Sequence, residues 1–560
     1  PLMLAKTMQR FQIGATILLD GKPQEHFGTR AVQDQANKSS NLIANFISCC
    51  RQRRSTPKVA DTTGQQWTGG ELLLRTLILR RLLKRVLQDN ESHVAILLPP
   101  SAGAIAVNTA LTMDRRVTVN LNYTASAEIL NQCNQQAGVK HVITSRRFLK
   151  KMPFELDAEF VFLEDLRETV TTADKLSCWL AAKVIPSRLL QRQLGLQDID
   201  STDVLTVIFT SGSTGVPKGV ELTFGNVESN TDAINRIVQL REDDVVVGIL
   251  PFFHSFGYTV TLWTVLVYDV LGAYHVSPLD AKVVGKLCEQ MKGTVLLATP
   301  TFLRSYVKRC KPEQLSTLDV VVAGAEKLPR ELSDAFEEKF GVRPVEGYGT
   351  TELSPLVSVN VPVSRSHTDM PDAREGSVGR PFEGVSAKIV DPETMTEQSV
   401  NEDGLLWIKG PNVMKGYLGR DDPTAQVIND GWYNTGDVAR IDEDGFIFIT
   451  GRLSRFSKIG GEMVPHIRVE EELAKLLGGE DLLAVVTSVP DTKKGERLAV
   501  VHLPMDQTPE QLNQGLAAAG LPNLFIPSRD AYVQVDEIPV LGTGKLDLKA
   551  IQQLALEPLG

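Results

Sequence analysis

The chain has 560 residues, which is too long for one simple core and predicts at least two domains. Its 59 basic and 68 acidic residues give a net charge of −9, which argues against a nucleic-acid-binding protein. A hydrophobic fraction of 42% and an aromatic fraction of 6% are typical of a soluble globular enzyme.

The first forty residues match no motif, and we interpret residues 1–40 as an N-terminal extension or the remnant of a preceding domain. The chain begins with Pro1 and shows no signal-peptide pattern, so we expect a processed or longer cytoplasmic protein. The best candidate for a membrane span, Thr259–Tyr268, falls well short of the roughly 20 residues required. The six cysteines form no Cys-x-x-Cys pair, which favours reduced thiols.

Apolar runs typical of strands alternate with helical patterns, for example at Val94–Leu98, Val204–Phe209 and Val320–Ala323. This alternation predicts an α/β fold with layered subdomains. After Asp391, short strands and Gly-Asp turns indicate a β-rich subdomain, and the basic, glycine-punctuated segment Gly451–Gly461 fits a hinge. We therefore expect a large domain over residues 41–451 and a small, mobile α+β domain over residues 452–560.

A loop rich in glycine and hydroxyl side chains follows one of these strands. It contains Thr210, Ser211, Gly212, Ser213, Thr214, Gly215 and Lys218. The glycines let the backbone N–H groups approach a polyanion, the hydroxyls add donors, and Lys218 supplies a cation for β- and γ-phosphates. Lys218 is followed by Gly219, so the loop is not a Walker A motif. The alternative interpretation is a Ser/Gly-rich surface loop.

The loop resembles the signature of the adenylate-forming superfamily, which contains acyl-CoA synthetases, peptide-synthetase adenylation domains and firefly luciferase. Further segments of the chain resemble that superfamily's motifs in the same order. They are Pro251–Gly257 with His254, the turn Gly324-Ala325-Glu326, the run Glu346-Gly347-Tyr348-Gly349-Thr350-Thr351-Glu352, and Trp432–Asp437. Their alternative interpretations are a buried structural histidine and ordinary turns.

The resemblance implies roles for these residues, with ATP and Mg²⁺ as cofactors. Adenine would lie against Gly324–Glu326 and stack on Tyr348, while Thr351 would donate to the phosphates. Glu352 would hold Mg²⁺, a hard cation that takes oxygen ligands. His254 would line the acid pocket and move between two half-reactions.

The same resemblance extends to the C-terminal part of the chain. Asp437 would accept hydrogen bonds from the ribose hydroxyls, and Arg452 would reach the ribose or the α-phosphate. Lys545, between glycine-rich turns near the C-terminus, would be the catalytic lysine of adenylation. After rotation of the C-terminal domain, the loop around Lys458 would line a tunnel for the thiol. Ser454 stands where the superfamily usually has a hinge Asp or Lys.

A narrower resemblance covers roughly residues 57–555. Segments such as Asn122–Thr124, Thr169–Lys175 and Lys458–Met463 are similar to the acyl-ACP synthetase half of the bifunctional 2-acylglycerophosphoethanolamine acyltransferase/acyl-ACP synthetase family. It implies a fatty acid as substrate and acyl carrier protein as acceptor. The His-x4-Asp spacings at His275–Asp280 and His367–Asp372 lack that family's later Glu-Gly-Thr-Arg segment, and we interpret them as coincidence.

Three alternatives stay open. The acceptor could be coenzyme A, as in an acyl-CoA synthetase, or the protein could be an acyltransferase that moves a fatty acid to a lysophospholipid, or an inactive nucleotide-binding scaffold. The basic stretches Leu79–Leu87 and Arg146–Lys151 are candidate sites for an acidic carrier protein or the inner membrane surface, where the protein would be peripheral. A separate lysophospholipid acyltransferase is a further candidate partner. A solvated helix face explains these stretches equally well.

Overall fold

The computed structural model describes residues 42–210, 216–366, 372–460, 462–478, 483–539 and 546–559. Several predictions fall outside this described part. They concern residues 1–40, the loop residues Ser211, Gly212, Ser213, Thr214 and Gly215, and the residues His367, Gly461 and Lys545. Strands and helices alternate through the first two thirds of the chain, which confirms the predicted α/β class.

The strands, in chain order, are β1 (Pro57–Asp61), β2 (Gln66–Thr68), β3 (His93–Ile96), β4 (Val117–Asn120), β5 (His141–Thr144), β6 (Glu159–Phe162), β7 (Val204–Thr210), β8 (Lys218–Thr223), β9 (Val245–Gly248), β10 (Leu271–Tyr274), β11 (Val295–Ala298), β12 (Val320–Ala323), β13 (Val345–Gly349), β14 (Leu356–Val359), β15 (Arg380–Pro381), β16 (Ser386–Val390), β17 (Gly404–Lys409), β18 (Gly416–Tyr417), β19 (Ile428–Asn429), β20 (Trp432–Ile441), β21 (Ile447–Arg452), β22 (Phe456–Ile459), β23 (Glu462–Pro465), β24 (Ala484–Asp491), β25 (Gly495–His502) and β26 (Tyr532–Gln534).

The α-helices are α1 (Leu42–Gln52), α2 (Gly69–Val86), α3 (Ala102–Met113), α4 (Ala127–Ala137), α5 (Arg146–Lys151), α6 (Leu163–Glu168), α7 (Thr172–Lys183), α8 (Ser187–Gln193), α9 (Phe224–Val238), α10 (Val265–Val267), α11 (Ala281–Met291), α12 (Pro300–Arg309), α13 (Arg330–Phe340), α14 (Asp421–Val427), α15 (His466–Leu477), α16 (Pro509–Ala518) and α17 (Leu548–Leu559). A π-helix over Phe256–Thr264 leads directly into α10.

Two mostly parallel sheets form the large part of the molecule. One has nine strands in the order β15-β14-β13-β12-β11-β9-β10-β1-β2, and the other has seven in the order β18-β8-β7-β4-β3-β5-β6. Strands β9, β11 and β12 are buried along their whole length, as expected for valine-rich strands covered on both faces. A single apolar core contains side chains from both sheets and the π-helix.

A buried arginine fastens the amino ends of three of these parallel strands. The guanidinium of Arg365, which is 1% exposed, donates to both carboxylate oxygens of Asp244 at 2.7 and 3.0 Å and to Asp319 Oδ2 at 3.0 Å. Asp244 also accepts from Thr294 Oγ1 at 2.7 Å. These residues directly precede β9, β11 and β12, so the arginine holds the edge of the sheet opposite to the carboxyl ends of the strands.

The rest of the chain is built on two smaller sheets. Strands β16, β17, β20 and β19 form an antiparallel sheet with β21 paired to β20, where a β-rich subdomain is predicted. The order β23-β22-β25-β24, with β26 on β25, defines the last sheet, which has its own apolar clusters. Between the two, the predicted hinge segment forms the end of β21, a 3-10 turn over Leu453–Arg455 and the strand β22. The domain boundary itself stays a prediction.

The apolar run at Thr259–Tyr268 lies inside the core. Its residues belong mainly to the π-helix and α10, and Trp263 is fully buried there. Among the residues that the structure describes, no helix combines the length and the apolarity needed to cross a membrane.

All six cysteines are buried free thiols, as the sequence predicts. Burial is the main reason why the pKa of Cys133 and that of Cys288 rise to about 12.

We expect Asp244→Ala to lower the free energy of unfolding by about 3–5 kcal/mol, because it leaves the Arg365 charge buried without its bidentate partner. Chemical denaturation followed by circular dichroism measures this loss. The matched control is Glu383→Ala, which removes a carboxylate paired with Arg236 where both side chains are mostly exposed. Its effect should stay below about 1 kcal/mol, and equal losses in the two variants would contradict the role given to Arg365.

Candidate active site

A cavity of about 3500 Å³ opens at the carboxyl ends of β12 and β13. These strands are parallel neighbours, so the turns that follow them lie side by side. The cavity is also lined by β20, β21 and parts of the C-terminal unit, including Pro465–Arg468 and Leu546–Lys549. Ligands of open α/β sheets commonly bind at this edge.

A carboxylate stands between two sheets at the base of the cavity. The hydroxyl of Tyr348 on β13 donates to Asp437 Oδ2 on β20 at 2.5 Å. Arg452 is opposite Asp437 in the β20–β21 register, and its Nε lies 3.7 Å from Oδ1. Burial, together with the negative charge of Asp437, raises the pKa of Tyr348 well above its usual value. The structure therefore brings together three of the predicted nucleotide-binding residues.

The last residue of β13 has to be a glycine. A Cβ on Gly349 would lie 1.9 Å from the carbonyl oxygen of Pro355. This close approach leads the chain into the 3-10 turn Thr351–Leu353. The Oγ1 atom of Thr350 is buried and has no hydrogen-bond partner among the described residues, so it is available to a polar ligand.

A tyrosine that the sequence analysis did not single out contacts both Glu352 and Lys218. Tyr417 donates its hydroxyl to Glu352 Oε1 at 3.0 Å, and the Lys218 ammonium lies 5.0 Å from the centre of the Tyr417 ring. Burial, followed by the charge of Glu352, raises the pKa of Tyr417. The antiparallel pairing of β18 with β8 sets this contact, and a single sequence does not reveal such a pairing.

The predicted adenine turn forms a flat wall. A Cβ on Gly324 would lie 3.3 Å from the ring of Phe256 and 3.7 Å from the carbonyl oxygen of Gly347. Ala325 adopts a φ of +69°, which is uncommon for a residue with a side chain. The carboxylate of Glu326 accepts from Thr301 Oγ1 at 2.8 Å. The turn is thus fixed to the start of α12.

Two residues inside the predicted motifs, to which the sequence analysis assigned no role, support this arrangement. Glu346 lines the cavity and accepts the backbone N–H of Leu328 at 3.1 Å, and burial raises the pKa of its carboxyl. Ser255 donates to Thr351 Oγ1 at 3.3 Å. Both residues lie within the predicted motifs, but their roles depend on contacts between different elements of the fold.

The remaining predicted residues are placed as follows. His254 is exposed and lines the cavity, with its ring 4.5 Å from that of Phe253. Thr210 lines the cavity opposite Lys218 in the β7–β8 register. Lys458 forms an ion pair with Glu393 and does not line the cavity, so its role in a thiol tunnel stays a prediction.

The His275–Asp280 spacing, interpreted as coincidence, does form a contact. His275 is buried, with one ring nitrogen 3.1 Å from Asp280 Oδ2 and the other 2.8 Å from Thr62 Oγ1. The pair connects the carboxyl ends of β1 and β10 to α11. The other spacing begins at His367, outside the described ranges.

Comparison with known proteins identifies the family. A family model described as AMP-binding enzyme matches residues 46–418, well over half of the chain. The long-chain-fatty-acid–CoA ligase of Bacillus subtilis (strain 168) is 31% identical over 353 residues, which are 61% of this chain and 60% of that protein. 4-coumarate–CoA ligase 1 of Narcissus pseudonarcissus is 30% identical over 424 residues, covering 72% of this chain and 74% of the relative.

A solved structure shows the same fold. The o-succinylbenzoate coenzyme A synthetase (MenE) of Bacillus subtilis, in complex with ATP and magnesium ion, matches with a TM-score of 0.75. Its identity is 22%, and the match covers 91% of this chain and 99% of that chain. The chain therefore belongs to the AMP-binding enzyme family. This confirms the sequence-based assignment to ATP-using ligases of the adenylate-forming class, whereas the narrower resemblance to acyl-ACP synthetases stays a prediction.

We expect Gly349→Ala to destabilise the protein strongly, because the added methyl group would meet backbone atoms of Pro355 that cannot move independently. Thermal unfolding should show a lower Tm or a loss of folded protein. Gly103→Ala is the matched control, since a Cβ there lies 3.9 Å from Leu163 Cδ1 and alanine favours the helix. A normal Tm for the Gly349 variant would show that the turn tolerates a side chain.

Proposed function

We propose that this enzyme converts a fatty acid to its acyl-AMP with ATP and then transfers the acyl group to the thiol of coenzyme A. The observation that carries the proposal is the convergence of Tyr348, Asp437, Glu352 and Lys218 from distant segments on one cavity or its edge. The CoA-directed ligases among the relatives favour coenzyme A over a carrier protein.

The nucleoside would occupy the wall between β12 and β20. The backbone of Gly324–Glu326 leaves room for adenine, next to Tyr348, which is largely buried but lines the cavity. Asp437 would accept the two ribose hydroxyls, because a buried carboxylate has lone pairs beyond those used by Tyr348. Arg452 lies close enough to compensate the charge of Asp437 and to reach the ribose or the α-phosphate.

The phosphates would lie over the turn after β13. Thr350 offers an unpartnered Oγ1, Thr351 offers a second hydroxyl, and Lys218 offers a positive charge. Ser211, Gly212, Ser213, Thr214 and Gly215 would complete the phosphate cradle, as their sequence predicts.

Glu352 fits the role of a magnesium ligand. In the described part of the chain, no group of three or more His, Cys, Asp or Glu side chains could hold a metal by itself. Mg²⁺ commonly binds through one or two carboxylates together with substrate phosphates, so one well-placed carboxylate suffices. When bound, Mg²⁺ would supply positive charge that offsets the charge of the departing pyrophosphate.

The reaction has two balanced steps. A carboxylate oxygen of the fatty acid forms a bond to the α-phosphorus of ATP while the bond to pyrophosphate breaks. Lys545 and Lys218 would stabilise the negative charge that develops on these oxygens. The thiolate of the acceptor then bonds to the acyl carbon, and AMP departs with the electron pair of the broken C–O bond.

One arm of the cavity fits an acyl chain. Several of the residues that line the cavity on the side of α11 and α12 are apolar. These are Phe256, Val276, Pro278, Leu279, Val283 and Phe302. Tyr306 O–H donates to the Pro278 carbonyl at 2.8 Å, which packs this wall on α12. A chain of methylene groups would be stabilised there by burial.

A second arm fits an anionic acceptor. From His254 an unbroken series of ring contacts runs through Phe253 and Tyr123 to Phe148, with centroid separations of 4.5, 4.8 and 5.5 Å. Arg147 and Lys151, which are exposed on the same helix as Phe148, also line the cavity. Their charges suit the phosphates of coenzyme A and would equally attract an acidic carrier protein, which is the second candidate acceptor.

The decisive measurement is pyrophosphate release from ATP and a fatty acid, followed by thioester formation with coenzyme A or with holo acyl carrier protein. We expect fatty-acid-dependent release and thioester formation with coenzyme A. The variant Arg147→Glu/Lys151→Glu should raise KM for coenzyme A about tenfold or more while leaving pyrophosphate release nearly unchanged. The control Lys286→Glu/Lys311→Glu reverses two exposed charges away from the cavity. Transfer to the carrier protein alone would replace the acceptor proposed here, and no acid-dependent release would refute the ligase.

The Lys545→Ala variant separates the two half-reactions. Loss of its charge should nearly abolish pyrophosphate release, because the α-phosphate loses compensation in the adenylation step. Preformed acyl-AMP should still react with the thiol. The control is Lys494→Ala, which changes an exposed lysine between β24 and β25 of the same unit. Equal loss of both half-reactions would contradict a role limited to adenylation.

A further inference from the structure

Helix α7 presents apolar side chains to solvent along one side. Leu176, Trp179, Leu180 and Val184 are 60%, 42%, 41% and 60% exposed. Their spacing of three and four residues places them on one face. On the opposite face Asp174, Cys178 and Ala182 are buried against the rest of the fold, so the exposed side is not needed for packing.

Within α7 and α8, the exposed charged residues are all basic. Residues 172–193, which include α8, contain Lys175, Lys183, Arg188 and Arg192, and all four are exposed. The one acidic residue of the segment, Asp174, is fully buried and accepts from Arg85. A cationic surface of this kind is unexpected in a chain of net charge −9. It would attract an anionic partner to the apolar ridge.

Several cations of the basic stretches that the sequence analysis selected form ion pairs within the protein. On α2, Arg80 and Lys84 pair with Asp114, and Arg81 pairs with Asp174. On α5, Arg146 forms a bidentate contact with Asp165. Arg147 and Lys151 of α5 line the cavity. Neither α2 nor α5 exposes a leucine or tryptophan as α7 does, so α7 and α8 form the better candidate surface.

We propose that the exposed face of α7, with the cations of α7 and α8, docks on an anionic lipid surface. Leucine and tryptophan on one side of a helix, flanked by lysine and arginine, suit the boundary between acyl chains and charged headgroups. Lys175 belongs to this face and also lines the cavity, next to Val170. Docking would therefore place an opening of the cavity at the lipid surface, and its use for a fatty acid rests on the proposed function.

Two other occupants fit the face less well. A second copy of the chain would bring the same cations together across a two-fold axis, which is electrostatically unfavourable. An acidic carrier protein would match the charges, but the exposed apolar side chains on α7 demand an apolar environment as well. The experiment below distinguishes the lipid surface from the carrier protein.

The test is co-sedimentation of the full chain with phosphatidylcholine vesicles that contain or lack phosphatidylglycerol. Binding should require the anionic lipid and weaken with salt. Trp179 is the most exposed of the five tryptophans, so its emission should shift to shorter wavelength on binding. Leu176→Asp/Leu180→Asp should lower the fraction bound about tenfold or more, because both side chains would leave the lipid.

The matched control is Val363→Asp, since Val363 is 92% exposed but lies on a distant turn. It should bind vesicles like the unchanged chain. Failure of the full chain to bind anionic vesicles, or equal binding by the α7 variant, would overturn the proposal. So would a loss of carrier-protein binding in the α7 variant with vesicle binding intact. Pyrophosphate release with a water-soluble acid, measured without vesicles, tests the proposed function separately.

Discussion

The hydrogen bond between Tyr348 and Asp437 joins two sheets that are formed by segments 89 residues apart. It fixes the end of β13 against β20, and the register of β20 with β21 then places Arg452 beside the same carboxylate. This hydrogen bond is therefore the joint that connects the two sheets beside the cavity. A buried carboxylate without such donors would be costly to hold in its charged form, so the joint and the charge support each other.

A buried arginine constrains the opposite edge of the nine-stranded sheet. Arg365 holds the amino ends of three parallel strands, while their carboxyl ends are free to carry turns with little regular structure. Buried ion pairs therefore hold one edge of the sheet, and the residues of the candidate site lie at the other edge. Thr350, whose Oγ1 has no hydrogen-bond partner among the described residues, lies at the edge that carries these turns.

Much of this was predictable from the sequence, because fold class and motifs depend on local pattern. Valine-rich runs such as Val320–Ala323 form the expected buried strands, and the glycine-rich motif around Tyr348 indeed ends a strand. The contact of Lys218 with Glu352 through Tyr417 was not predictable, since it depends on the pairing of a two-residue strand. The same limit applies to Lys458, whose partner Glu393 is 65 residues away, and to the cations of α2, whose carboxylate partners lie on other elements.

The buried cysteines have a chemical consequence for an enzyme that would hold a mixed anhydride. Such an anhydride reacts with any thiolate that reaches its carbonyl carbon. All six cysteines lie within the described residues, none lines the cavity, and burial keeps Cys133 and Cys288 protonated. If the proposed acyl-AMP forms, these thiols would not compete with the external sulfur, and acylation of the protein's own cysteines would be avoided.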